Sequence, residues 1–186
     1  MTNQNTETTY LRKIAELEAE IARLREISQK DKLTGCLRRE TFMELIEERR
    51  KFGYLPKNAT LCLLDVDFFK RVNDTHGHIA GDRVLSHIGK LLNDQVPEGS
   101  LVCRMGGEEF VVLLPLPLNE ALKVAEGLRS TLESSKIKLN LQNTLSVTAS
   151  FGLSQWDTDS EILAATALAD GALYRAKNNG RNQVAA

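Results

Sequence analysis

The chain has 186 residues, of which 24 are basic and 25 acidic, for a formal net charge of −1. That length suits one domain able to bury roughly 70% of its unfolded surface, and the near-zero charge argues against a nucleic-acid binder held by bulk electrostatics. Cys36, Cys62 and Cys103 lack metal-ligand spacing, no segment resembles a signal peptide, and no apolar run approaches the ~20 residues of a membrane span; core thiols in a reducing cytoplasm, without a membrane, are expected.

Residues 8–30 come first. Tyr10, Leu17 and Leu24 fall seven apart, as do Ile14, Ile21 and Ser28, a 4-3 pattern with Ile at a and Leu at d that favours parallel dimers. Lys13 and Glu20 at g would oppose Glu18 and Arg25 at e of a second copy. Residues 1–30 therefore read as an N-terminal coiled-coil helix that makes a homodimer, and residues 31–186 as the domain that follows. The same stripe also suits a lone amphipathic helix packed on its own domain, because little more than three heptads is marginal for an isolated coil.

Helical periodicity continues at 40–52, 82–94, 119–134 and 161–178, and strands read at 59–65, 101–105, 110–114, 137–142 and 145–153. The elements interleave through short loops with no repeat or long linker, which is mixed α/β organisation. Trp156, just after the last strand, reads as a packing lid rather than a ligand platform.

Two strand ends carry acids. The apolar run Leu61–Leu64 stops at Asp65 and Asp67, as a buried strand does when it delivers a carboxylate to a sheet edge. Asp67, followed by Phe68-Phe69-Lys70-Arg71, reads as an N-cap of the next helix; Asp65 has no helix amides to satisfy. Arg104-Met-Gly-Gly-Glu-Glu-Phe110 lies between two apolar runs and reads as a hairpin tip. Gly106 and Gly107 supply the turn and let a phosphate approach the backbone, while Glu108 and Glu109 face different ways. Alone, this tip also suits an ordinary solvated turn. With Asp65, Glu108 makes a hard all-oxygen pair suited to Mg²⁺ or Mn²⁺.

Asp31-Lys-Leu-Thr-Gly35, Asp65-Val-Asp-Phe-Phe-Lys70, Asn73-Asp74, Gly77-His78 with Gly81-Asp82, Arg104–Phe110, Ser150-Phe-Gly152, and Ala172-Leu-Tyr-Arg-Ala-Lys177 with Gly180-Arg-Asn182 resemble, in order, the signature blocks of GGDEF domains, the diguanylate cyclases. The resemblance spans residues 31 to about 184. It implies an α+β fold like nucleotidyl cyclase and polymerase palms, a mainly antiparallel central sheet surrounded by helices. It also implies that two GTP condense to cyclic di-GMP and pyrophosphate in a dimer with facing active sites and two Mg²⁺ (or Mn²⁺) per site.

Carried onto this sequence, the resemblance makes Asp65, Glu108 and Glu109 catalytic, with Asp65, the Val66 carbonyl and Glu108 holding metal. Phosphates would be met by the backbone near Phe68, Phe69 and Lys70, by Gly106 and Gly107, and by Lys177 and Arg181. Gly180 should end the last helix and leave Arg181 just beyond it; the same cations also suit a solvated basic helix end. Guanine, with paired N1–H and N2–H donors, would be read by Asn73 and Asp82, although Asp82 also suits a cap of a helix starting at Arg83. Two departures stand out. Arg38 replaces the usual Asn of the first block, and Pro97–Ser100 lacks both the Arg and the Asp of the product-inhibition motif. The alternative function is a catalytically silent module acting as a GTP or cyclic di-GMP receptor or scaffold.

Overall fold

The computed structural model describes residues 12–17, 29–140 and 142–186. Residues 12–17 are helical (α1), with Ile14 and Leu17 each 51% exposed. Tyr10, Ile21, Leu24 and Ser28, together with Glu18, Glu20 and Arg25, lie outside the described residues, and with them most of the expected coil.

The domain runs β1 (Leu37–Arg38), α2 (Arg39–Lys51), β2 (Asn58–Val66), α3 (Phe69–His76), α4 (His78–Gln95), β3 (Leu101–Gly106), β4 (Glu109–Leu114), α5 (Leu118–Ser134), β5 (Ile137–Lys138), β6 (Thr144–Leu145), β7 (Ala149–Asp157), α6 (Ile162–Asn178) and β8 (Val184–Ala185). Six strands form one sheet in the order β1-β3-β4-β2-β7-β8, and β5-β6 is a separate ribbon. β2 is antiparallel to both neighbours and β3 to β4, while the two-residue edge strands β1 and β8 pair in parallel. This is the mainly antiparallel sheet surrounded by helices that was expected.

β2 reads as a nearly continuous apolar run because both its faces are covered. Cys62, Leu64 and Val66 join Phe110, Val112, Phe151 and the inward residues of α4 and α5 in one core. Ala59 and Leu61 join Leu113, Trp156 and residues of α2 and α6 in the other. At Gly152 of β7 an added Cβ would lie 2.2 Å from the Leu173 nitrogen and 2.3 Å from the Ala169 oxygen. Glycine therefore lets α6 lie directly on the sheet. Ala165 sits over Ser154 of β7 and Leu173 over Gly152, so α6 runs antiparallel to β7 and carries Lys177 to the end of β2.

Several expectations change. The strand expected at 137–142 stops after Lys138, because the Asn140 side-chain oxygen accepts the amides of Gln142 and Asn143 and reverses the chain. The strand expected at 145–153 is split at residues 146–148, which lie outside both β6 and β7, and continues to Asp157. α4 begins a turn earlier than its periodicity indicates. α3 escaped the periodicity reading, since eight residues with two buried positions, Phe69 and Val72, carry little pattern. The three cysteines are buried and free, as expected, and burial pushes the Cys62 thiol up to about 12. Trp156 is 1% exposed and donates its indole N–H to the Ser160 carbonyl, a packing role. Among the described residues no helix is long and apolar enough to cross a membrane.

The start of the domain is tied to the far hairpin through one guanidinium. Arg104 donates Nε and Nη2 to the Gly107 carbonyl at 3.0 and 2.9 Å and Nη1 to Asp31 Oδ1 at 3.1 Å. Asp31 Oδ1 also accepts the Thr34 amide and hydroxyl at 2.9 and 2.7 Å. Arg38, the residue that departs from the family pattern, donates to the Lys30 carbonyl at 3.2 Å, and the turn beside it is closed by backbone bonds, the Gly35 amide to the Asp31 carbonyl and the Asp31 amide to the Cys36 carbonyl, each at 2.8 Å. Partial burial alone would raise the Asp31 pKa, but Thr34 and Arg104 outweigh it and hold the carboxyl below 3.8. A depressed folded pKa stabilises fully above the unfolded value and ceases to do so as pH falls through the folded one. Asp31→Asn should thus lower stability at neutral pH by about 1 kcal/mol, and urea titrations should show the gap from the parent chain closing below pH 3.8. A gap that persists at lower pH would mean that the ionised carboxylate is not what holds the turn.

Candidate active site

Asp65 stands at the end of β2, directly opposite Glu109 of β4 and Ser150 of β7. Opposed residues of an antiparallel ladder share a face, so the Asp65 and Glu109 side chains leave the sheet on the same side. Asp65 is 9% exposed and Glu109 is exposed. The β3–β4 turn consists of Gly107 and Glu108, with Gly107 at φ 51°. Glycine first with positive φ, followed by a residue without it, is a type II′ pattern. Glu108 is half-buried, and its carbonyl accepts the Val66 amide at 3.4 Å, which stitches the hairpin tip to the end of β2. The fold thus brings Asp65, Val66, Glu108 and Glu109 together. A Cβ added at Gly106 or Gly107 would meet no atom within 4 Å, so their backbone is open to a ligand.

Lys177 places its Nζ 2.8 Å from Asp65 Oδ2. An acid at the sheet end therefore already holds one positive charge, which fits it to a cation site. The donors are hard oxygens, two or three carboxylates and a backbone carbonyl. Among the described residues no group of three or more Asp, Glu, His or Cys is close enough to form a complete metal cage, so remaining ligands would have to come from substrate or water.

Asp67 does not cap α3, contrary to the sequence reading. The N-cap position belongs to Phe68, at φ 55° and without a side-chain cap bond. The Asp67 carboxylate, 5% exposed, turns instead to better donors: the Thr148 and Ser150 hydroxyls, each at 2.7 Å, and the Asn182 amide at 3.0 Å. Lys70 pairs its ammonium with Asp74 at 2.8 Å on the surface of α3, leaving the first amides of that helix as the donors of this segment.

Asn73 of α3 packs on Gly81 of α4 so closely that an added Cβ would lie 2.0 Å from Asn73 Oδ1. Asp82, the next residue, is exposed. It sits five residues into α4, beyond the N-cap Gly77, so the capping alternative falls and Asn73 and Asp82 share one α3–α4 junction. At the end of α6 the expected stop is present. Gly180 has φ 112°, and the Arg181 amide closes on the Ala176 carbonyl at 3.0 Å, a Schellman arrangement. Arg181 lies past the helix, as expected, with its guanidinium 4.6 Å from the centre of the Phe68 ring. Lys177 and Arg181 therefore meet different partners, one an acid and the other an aromatic face.

The sequence reading assigned no role to Asp31, Arg104, Thr148, Ser150 or Asn182, all of which brace this site. Only the hydroxyl alternation of Thr148 and Ser150 at the start of β7 hinted at a shared partner.

A diguanylate cyclase GGDEF domain family matches residues 28–183. Diguanylate cyclase DgcM of Escherichia coli K12 is 38% identical over 165 residues, covering 88% of this chain and 39% of that protein, so the chain spans less than half the length of that relative. Diguanylate cyclase SiaD of Pseudomonas aeruginosa, solved with its activator SiaC, is 34% identical with a TM-score of 0.78 over 98% of this chain and 73% of that one. The coiled coil and GGDEF domain of DgcB from Caulobacter crescentus, solved with c-di-GMP, has a TM-score of 0.86 over 100% of this chain and 99% of that one at 23% identity, a likeness of fold. With a match across nearly the whole described domain, the chain belongs to the GGDEF family of diguanylate cyclase domains.

Proposed function

We propose that this chain joins two GTP molecules into cyclic di-GMP, releasing two pyrophosphates, with one GTP held by each of two copies. The observation that carries the reading is the meeting of Asp65, Val66 and Glu108 at one sheet end. Each bond-forming step moves a ribose 3′ oxygen onto an α-phosphorus and expels pyrophosphate, so negative charge grows on the attacking and departing oxygens. Two Mg²⁺ or Mn²⁺ ions, held by Asp65, the Val66 carbonyl and Glu108, would neutralise that charge. Glu108 also accepts the proton of the 3′ hydroxyl as its oxygen attacks, and Glu109, opposite Asp65, adds charge to the same face.

The triphosphate is met by cations and amides. Arg181 and the first amides of α3, at Phe69 and Lys70, face anions in the manner of helix N-termini, and the open backbone of Gly106 and Gly107 admits a phosphate. Lys177 now rests on Asp65; a bound triphosphate gives its ammonium a second anion and leaves Asp65 to the cation. Guanine lies at the α3–α4 junction, where the Asp82 carboxylate accepts N1–H and N2–H together and Asn73 adds a further bond. Adenine offers an acceptor at N1, so this pairing is worth about 1–3 kcal/mol of base selection by analogy with base-edge readout.

Two copies are part of the mechanism, because a ring needs two bonds and each domain carries one GTP. The heptads of residues 8–30 support a parallel coil that joins the domains at Asp31 and raises the local concentration of one site near the other to about the millimolar range.

Glu108→Gln keeps size and removes charge. Turnover of GTP with Mg²⁺, followed by mass spectrometry of the product, should fall by about a hundredfold or more with circular dichroism unchanged. Undiminished product formation by that folded variant would remove Glu108 from the mechanism, and GTP binding without any product in the parent chain would favour the silent receptor instead. Asp82→Ser should lower the GTP:ATP ratio in competition, while an unchanged ratio would place base reading elsewhere. Deleting residues 1–28 should reduce activity at low protein concentration and spare it at high concentration; equal specific activity across a roughly hundredfold dilution would dismiss the tether.

A further inference from the structure

Among the described residues, three that are not glycine have positive φ: Phe68 at 55°, Arg181 at 64° and Asn182 at 45°. L side chains adopt this region rarely, and such residues persist where their surroundings over-determine them. All three surround one carboxylate. Asp67 immediately precedes Phe68, and its Oδ2 accepts the Asn182 amide at 3.0 Å. The same carboxylate is fixed to the sheet by the Ser150 hydroxyl on Oδ1 and the Thr148 hydroxyl on Oδ2.

Asn182 is gripped from its side chain as well. Its Oδ1 accepts from Arg129 Nη1 at 2.9 Å, and its Nδ2 donates to Glu133 Oε1 at 2.8 Å. Arg129 is in turn held by Glu126 and Glu133 of its own helix. Arg181 lies between the helix closure at Ala176 and this anchored Asn182, and its guanidinium rests on the Phe68 ring 4.6 Å away. The backbone just after the cation, through the Asn182 amide, and the aromatic face beneath it, on the residue next to the carboxylate, thus trace back to Asp67.

We infer that Asp67 is a positioning residue that sets where the Arg181 guanidinium lies, and that it acts on nucleotide binding through Arg181 alone; this rests on the reading of Arg181 as a triphosphate contact. Asp67 touches neither nucleotide nor metal in this role. It converts a strained loop past α6 into a fixed shelf, so that Arg181 meets the triphosphate without first having to be ordered.

Steady-state kinetics of the full chain with Mg²⁺ and GTP test this. Asp67→Ala should raise KM about tenfold with kcat changed little, the effect of a misplaced binding group. Asp67→Asn should restore most of the loss, because its amide oxygen still accepts from Asn182 and Thr148 and its NH₂ can donate to the Ser150 oxygen. In an Arg181→Ala background, Asp67→Ala should add nothing further. Equal losses in both backgrounds, or an unchanged KM for folded Asp67→Ala, would overturn the inference while leaving Arg181 as a phosphate contact. Arg181→Ala with unaltered KM would overturn both readings. If Asp67→Ala does not fold by circular dichroism, Thr148→Val with Ser150→Ala approaches the clamp from its other side. The pair removes both hydroxyls that fix the Asp67 carboxylate and leaves Arg181 and Asn182 in place, so the same rise in KM is expected, absent when Arg181 is alanine, and no rise would overturn the inference.

Discussion

Everything at the site depends on the register of β2 between β4 and β7. Because that one strand is paired along its length on both sides, Asp65 is opposite Glu109 and Ser150 at once, and Val66 is beside the Glu108 carbonyl. A slip of one residue would invert the strand. Asp65 would then enter the core that now holds Val66, Leu64 and Cys62, a buried charge without a partner and a cost of several kcal/mol. Hydrophobic alternation between the two cores therefore does more than stabilise the sheet. It fixes which face the acid occupies, and α6, seated on Gly152, brings its countercharge to that face.

Gathering acids in one place has an electrostatic cost. Two carboxylates about 5 Å apart repel by about 3 kcal/mol at an effective dielectric of 20, comparable with burying a large aliphatic side chain. The fold answers each one differently. Asp65 is met by Lys177, Asp67 spreads its charge over two hydroxyls and an amide, and Glu109 remains in solvent. Asp67 is thus fully engaged within the protein, whereas the acids on the open side keep lone pairs for a cation. That division separates the carboxylate engaged by the protein from those left open more clearly than their burial does.

The sequence made the strand-borne acid and the glycine hairpin legible because each depends on local pattern: an apolar run broken by Asp65, and Gly106-Gly107 between two such runs. The longer helices were legible for the same reason. α3 left no period to read, being too short to repeat, so only the cap expected at Asp67 announced a helix there, and β1 and β8, two residues each, left no alternation to read. Asp67 was misread because capping chemistry is local in sequence while its real donors, Thr148, Ser150 and Asn182, lie more than eighty residues away. The Arg104–Asp31 pair, 73 residues apart, was hidden in the same way. Patterns along the chain predict which residues face a core; they do not reveal which loops a buried polar group will tie together.

Those long-range ties explain how loops can hold a site that strands and helices only outline. Loop backbone is ordinarily the more mobile part of a domain, yet the hairpin tip and the segment after α6 are each anchored to the folded body by charged groups. On the β3 side, Arg104 grips the Gly107 carbonyl and is itself fixed by Asp31; on the β7 side, Asp67 grips the Asn182 amide and is fixed by two hydroxyls. The two braces share no residue, so loosening one need not loosen the other. They differ also in what they reach: the first connects the carboxylate-bearing hairpin to the joint where residues 29–31 enter the domain, and the second connects Arg181 to the sheet interior. A displacement at the N-terminal joint would therefore be felt first at Glu108 through Gly107, while Arg181, anchored to β7, would stay in place.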